Sequence, residues 1–174
     1  MHQVMDEEAQ FERLYRAHAS SVRAYARRRS TSDALADDVV SDVFLVVWRR
    51  LDEVPPQPLP WLYGVARRAL ANRRRGEARA TALRTRIAVE RHDAEADAGD
   101  APRVLQALGQ LSSADRELLL LVAWEGLEPA ELAQALDARP GTIAVRLHRA
   151  RRRFAAALGA LDEHVNAPRL KAHR

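Results

Sequence analysis

The chain has 174 residues, 47% hydrophobic and 30% charged, with no cysteine and a formal net charge of +4. This is the composition of a globular chain forming one ordinary domain or two small ones, and it excludes disulfides, thiolate metal sites and a thiol redox switch. No apolar run approaches the roughly 20 residues needed to cross a bilayer, and MHQVMDEEAQ lacks the basic start and apolar stretch of a signal peptide, so a cytoplasmic protein with no membrane insertion is expected.

The β-branched residues fall at helical spacing and no Asn-Gly hairpin signal occurs, so the chain reads as all-α. After a tail at 1–9, a first helix from Phe11 to Arg29 places Phe11, Leu14, Tyr15, Val22, Tyr25 and Ala26 on one face. A second, from about Asp33 to Leu51, repeats the pattern with Leu35, Val39, Val40, Val43, Val47 and Leu51. A third begins after the proline-rich Pro55 to Pro60, with Pro60 suited to its first turn, and carries Trp61, Leu62, Val65, Ala66 and Ala69 inward. Residues 10–75 thus form one helical bundle.

From Gly76 to Pro102 the pattern loosens, and His92 to Pro102 holds Asp93, Glu95, Asp97 and Asp100 with no basic residue, which reads as a linker. Helical signals resume in a second domain, 103–160, with Val104, Leu105, Leu108 and Leu111. Ser112 followed by Asp115 marks a helix cap, and Leu118 to Val122 is apolar nearly all round. Residues 161–174 read as a polar tail. The architecture is therefore two small helical domains on a flexible joint.

Charge placement says more than net charge. Lys171 is the only lysine, while Arg67, Arg68, Arg73, Arg74 and Arg75 form one cluster and Arg146, Arg149, Arg151, Arg152 and Arg153 another, neither containing an acid. Such clusters either meet phosphate or lie on solvated helix faces. The second cluster has a recognisable frame. In Glu128 to Leu136 a proline sits in the first turn and Leu132 and Leu136 share a face, Ala133 permits close packing, and Asp137-Ala138-Arg139 makes a turn in which Asp137 takes the left-handed conformation. A second helix, from about Pro140 to about Leu158, then turns Ile143, Leu147, Ala150 and Phe154 inward and Thr142, Arg146, Arg149, Arg152 and Arg153 outward. That is a helix-turn-helix, whose reading helix meets base edges in the major groove; Arg146 is the first choice for a bidentate contact with guanine. A plain helical hairpin with a solvated basic face is the alternative.

The segments Leu111 to Leu121, Glu125-Gly126-Leu127, Glu131-Leu132-Ala133 and Gly141 to Arg151 resemble region 4 of bacterial sigma factors. Ala36 to Phe44 with Trp48, and Trp61-Leu62-Tyr63-Gly64-Val65-Ala66-Arg67, resemble region 2. With both in order and only a linker between them, the whole chain resembles the extracytoplasmic-function (ECF) group of sigma factors.

The resemblance implies a promoter-specificity subunit without enzymatic activity, cofactor or metal, whose partners are core RNA polymerase (β′ clamp helices and β flap), promoter DNA and an anti-sigma factor. It implies docking on the clamp helices by Asp38, Ser41 and Asp42. It also implies minus-10 recognition and melting by Trp61, Tyr63, Arg67, Arg68, Asn72 and Arg75, and minus-35 recognition by Arg139, Gly141, Thr142, Arg146, Arg149 and Arg152. Trp61 is open between base stacking and core packing, and the acids of the second helix between docking and a solvated face. A metal at Asp37, Asp38 and Asp42 lacks completing ligands. Several positions depart from the family pattern: Arg68 stands where asparagine is common, the segment before Trp61 is rich in proline, and Ala144 and Val145 replace lysine and serine. Fully extended, Gly76 to Pro102 would span at most roughly 90 Å, against roughly 85 Å between promoter elements about 25 base pairs apart. In the family this segment threads the RNA exit path, where the acids from Asp93 to Asp100 would imitate nucleic acid. The rival function is a free-standing helix-turn-helix regulator that binds duplex DNA unaided. An enzyme is disfavoured by the lack of a nucleophile and base pair, a phosphate-cradling glycine loop or a metal cluster.

Overall fold

The computed structural model describes residues 2–30, 32–84 and 101–166, with side chains for 6–30, 32–76 and 103–161. The elements are all helical: α1 (His2–Arg27), α2 (Asp33–Arg49), a 3-10 turn (Leu51–Glu53), α3 (Pro58–Arg84), α4 (Ala101–Gln110), α5 (Ser113–Ala123), α6 (Pro129–Leu136) and α7 (Pro140–Asn166). The acids expected to line the linker, Asp93 to Asp100, lie outside the described residues. Among the described residues no helix is long and apolar enough to cross a membrane. Two compact units emerge, one built on α1, α2 and α3, the other on α4, α5 and α7.

In the first unit α2 is the central helix. Ala36, Val39, Val40, Val43, Phe44 and Val47 are buried along it, against Val22, Tyr25 and Ala26 of α1 and Leu62, Ala66 and Leu70 of α3. Burying each of the larger of these side chains contributes roughly 1.5–3 kcal/mol. Ser32 starts α2: its backbone is extended and its hydroxyl accepts a hydrogen bond from the Leu35 amide at 3.2 Å. Arg27 with Asp33 at 2.8 Å and Arg23 with Asp37 at 2.5 Å then tie α2 to the end of α1. Tyr15, expected on the inner face, is about half exposed, with its ring 4.7 Å from that of Phe44. Pro55 and Pro56 bar helix after the 3-10 turn, and α3 begins at Pro58, two residues earlier than expected, because both Pro58 and Pro60 fit a first turn whose amides have no partner inside the helix.

Three boundaries extend beyond the sequence expectation. Residues 2–9, read as a tail, are the start of α1; residues 76–84, read as linker, continue α3; and α7 runs through 161–166. In 76–84 the residues are mostly good helix formers, and the single Gly76 costs only about 1 kcal/mol.

In the second unit Leu108, Leu111 and Leu120 form a core against which Leu119 and Phe154 pack. Leu118 and Leu121 are also buried, as the all-round apolar pattern requires. Of the residues that signal α4, Val104 and Leu105 are exposed, whereas Leu108 and Leu111, nearer the α4–α5 corner, are covered together with Ala107. That corner is fastened by polar groups. The Ser112 hydroxyl accepts from the Asp115 amide at 3.1 Å, capping α5 as expected, and the Arg116 guanidinium donates to the carbonyls of Leu108, Gly109 and Leu111 at 2.8, 3.0 and 3.3 Å. At the far end of α5 Gly126 adopts φ +68°, in the region that favours glycine.

Candidate nucleic-acid interface

The turn between α6 and α7 is set by local chemistry. Glu131 reaches back to accept the Glu128 amide at 2.8 Å at the start of α6, and Ala138 donates to the Ala133 carbonyl at 2.9 Å at its end. Asp137 sits at φ +52°, the left-handed conformation expected of it. On α7, Ile143, Leu147 and Ala150 are buried, which leaves Gly141, Thr142, Arg149 and Arg152 exposed on the far side, with Arg139 exposed just before the helix.

Two arginines of this cluster do not stand free on the basic face. Arg153 donates to Asp115 Oδ2 at 2.6 Å, joining α7 to α5; the Asp115 side chain is only 11% exposed against 60% for Arg153. That hydrogen bond, with further help from Ser112 and from the charges of Arg153 and Arg146, holds the Asp115 carboxyl below its ordinary range against the opposing effect of burial. Arg146 is half-buried and its charge also acts on this carboxylate, whereas Arg149 and Arg152 are exposed on the outward face.

On α3 the six expected minus-10 residues separate. Trp61, Arg68, Asn72 and Arg75 follow one another at steps of seven, four and three, which places them on one helix face. Arg68, Asn72 and Arg75 are exposed, Arg75 donates to Asn72 Oδ1 at 2.5 Å, and half-buried Trp61 has the Arg50 guanidinium 6.0 Å from its ring centre. Tyr63 does not join them. It is buried, with its ring stacked on Tyr25 at 5.0 Å and 24°, so it is a core residue and not a surface on which a base can stack. Arg67 is half-buried, with its Nε enclosed.

The expected docking residues lie along α2, and the structure adds a residue to them. Arg73 of α3 reaches across to donate from Nε to Asp42 Oδ2 at 2.8 Å and from Nη1 to Asp38 Oδ2 at 2.9 Å. The cation is the most enclosed of the three, its side chain 31% exposed against 61% for Asp38 and 41% for Asp42. It therefore stands behind the carboxylates, holding Oδ2 of each. Asp42, more than Asp38, holds Arg73 above its ordinary range. Arg73 is thus removed from the phosphate-facing cluster, as is Arg74, which donates to the Arg29 carbonyl at 2.5 Å. Ser41 is exposed and donates to the Asp37 carbonyl at 3.1 Å. Beside these acids Leu45 and Trp48 are about half exposed. Sequence reasoning gave neither a role, although an apolar residue three positions after Asp42, in phase with the polar face, is the available signal. A groove of about 390 Å³ runs between α2 and α3 past Asp42, Leu45, Arg49, Arg68, Asn72 and Arg73.

Comparison with known proteins decides what these surfaces belong to. Residues 14–80 match Sigma-70 region 2 and residues 102–154 match Sigma-70, region 4. The chain is 30% identical over 161 residues to the RNA polymerase sigma factor CarQ of Myxococcus xanthus, an alignment covering 89% of this chain and 92% of CarQ. It belongs to the ECF sigma factors. An ECF sigma factor directs RNA polymerase to promoters, and its regions 2 and 4 bind core polymerase and promoter DNA. Two solved structures share the sigma-factor fold. RpoE in complex with the anti-sigma factor NepR from Bartonella quintana is 25% identical with a TM-score of 0.63, covering 86% of this chain and 96% of that one. CnrH in complex with the cytosolic domain of CnrY is 27% identical with a TM-score of 0.59, covering 86% and 88%.

Proposed function

We propose that in this ECF sigma factor the outward face of α3 takes the minus-10 element through Trp61, Arg68, Asn72 and Arg75, while the outward face of α7 enters the minus-35 major groove through Thr142, Arg149 and Arg152, with Arg139 and Gly141 at its entrance and Arg146 at its flank. Asp38, Ser41 and Asp42 dock on the β′ clamp helices, and the second unit meets the β flap. The observation that carries this reading is the two-sidedness of α7: Ile143, Leu147 and Ala150 are fully or nearly fully buried, while the opposite side presents arginine. Stacking of captured bases, on the order of 1–3 kcal/mol per base, offsets the stacking lost when DNA opens. No covalent step is needed, so the chain works without an active site of its own, in the cytoplasm, and is held in check by an anti-sigma factor, a class of partner with which its structural neighbour RpoE is found in complex.

Holoenzyme reconstituted from core polymerase and the full chain tests the assignments. Arg149→Ala should weaken minus-35-dependent binding by about 1–3 kcal/mol, and Trp61→Ala should slow promoter opening more than it weakens closed-complex binding. Duplex DNA bound as tightly by the isolated chain as by holoenzyme would instead support a free-standing regulator.

A further inference from the structure

Val145 is a large apolar residue that α7 leaves in water, 51% exposed. At 3.6 residues per turn it stands about 200° around the helix from both Ile143 and Leu147, directly opposite the buried face. Its neighbours on that side are Gly141, Thr142, His148 and Arg149, with Arg152 a further turn along, all exposed. The centre of a basic, DNA-facing surface is therefore an aliphatic group that can neither donate nor accept a hydrogen bond. Its charged surroundings select a polyanion as the covering partner and disfavour an apolar protein surface. In the major groove one group on the base edges is apolar, the C5-methyl of a pyrimidine.

We propose that Val145 is a specificity-determining residue that reads a pyrimidine C5-methyl group, normally that of thymine, in the minus-35 element. The inference rests on the placement of α7 in the major groove argued above. The isopropyl group and the methyl leave water together, while the flanking arginines hold the backbone and a guanine edge. Because Val145 lies opposite α7's buried face and about half of it is in water, its replacement leaves the core residues Ile143, Leu147 and Ala150 in place.

The test uses holoenzyme and a promoter library randomised across the minus-35 element. Wild-type holoenzyme should enrich thymine at one position, and Val145→Ser should lose that enrichment while keeping the others. Replacing that thymine by deoxyuridine removes only the methyl and should weaken wild-type binding by about fourfold, leaving Val145→Ser binding unchanged. 5-Methylcytosine paired with guanine at the same position should bind wild-type more tightly than unmethylated cytosine, which separates recognition of the methyl from recognition of the base pair. Indifference of wild-type holoenzyme to deoxyuridine at every thymine, or an unchanged thymine preference in Val145→Ser, would overturn the proposal while leaving α7 as the reading helix. Absence of any minus-35 enrichment by wild-type would instead overturn the placement of α7.

Discussion

Replacing Asp115 by alanine tests how the reading helix is held. The substitution removes the 2.6 Å pair with Arg153 and the carboxylate's hydrogen bond with Ser112 at the start of α5. Because Arg153 is 60% exposed, the pair contributes no more than about 1 kcal/mol, and the contact at the helix cap adds about 0.5–1 kcal/mol. The expected loss of about 1–2 kcal/mol lowers the melting temperature of a domain this size by roughly 5–12 °C. Calorimetry of the full chain reads the shift, and hydrogen exchange in α5 and α7 assigns it to the second unit. The sign of the pH dependence follows from the lowered carboxyl. The folded state holds the Asp115 proton less tightly than the unfolded state, whose value is the ordinary 3.8, so the stabilisation is fully present above about pH 5 and is lost as pH falls through the folded value. The stability gap between wild-type and Asp115→Asn should close over that window. Melting of Asp115→Ala within about 2 °C of wild-type, or a gap that does not change between neutral pH and pH 2, would refute the reasoning.

Other positions discriminate as sharply. Tyr63→Ala should cost about 3–5 kcal/mol of stability in the first unit, measured by chemical denaturation, as a buried stacked ring requires and a DNA-facing residue does not. Arg73→Gln should weaken core-polymerase binding by up to about fivefold, measured in a titration of labelled sigma, and should add nothing when Asp38 and Asp42 are already asparagine. Asp137→Gly should stabilise the protein by about 0.5–1 kcal/mol in thermal melts, because φ +52° is a conformation that glycine adopts at less cost than a residue with a Cβ.

What could be read from the sequence was governed by distance along the chain. The left-handed Asp137, the Ser112 cap and most of the α2 stripe each depend on residues within a few positions of one another and stand as expected; Val39, Val40, Val43 and Val47 are buried, while Leu35 is half-covered and Leu51 falls in the 3-10 turn after the helix. Arg73 with Asp38 and Asp42, and Arg153 with Asp115, join residues more than 30 positions apart, and nothing in the spacing of an arginine cluster shows which members will be drawn inward to acids on another helix. The direction of Tyr63 escapes the sequence for a related reason. A tyrosine two residues from Trp61 lies on a different face of the helix, and the partner that fixes its direction, Tyr25, belongs to α1. The stop of α3 is not legible because the apolar pattern loosens from Gly76 onward, although the residues to Arg84 are mostly good helix formers and one glycine among them is a small penalty.

Run-off transcription with purified core RNA polymerase, on a promoter selected by the reconstituted holoenzyme, tests the central claim most directly. Core polymerase with the wild-type chain should start at one position, core alone should not, and combining Trp61→Ala with Arg149→Ala should abolish the specific transcript while the protein still co-purifies with core. Specific starts that survive loss of both residues would contradict the account, as would a chain that binds the promoter unaided and leaves core polymerase without a start site.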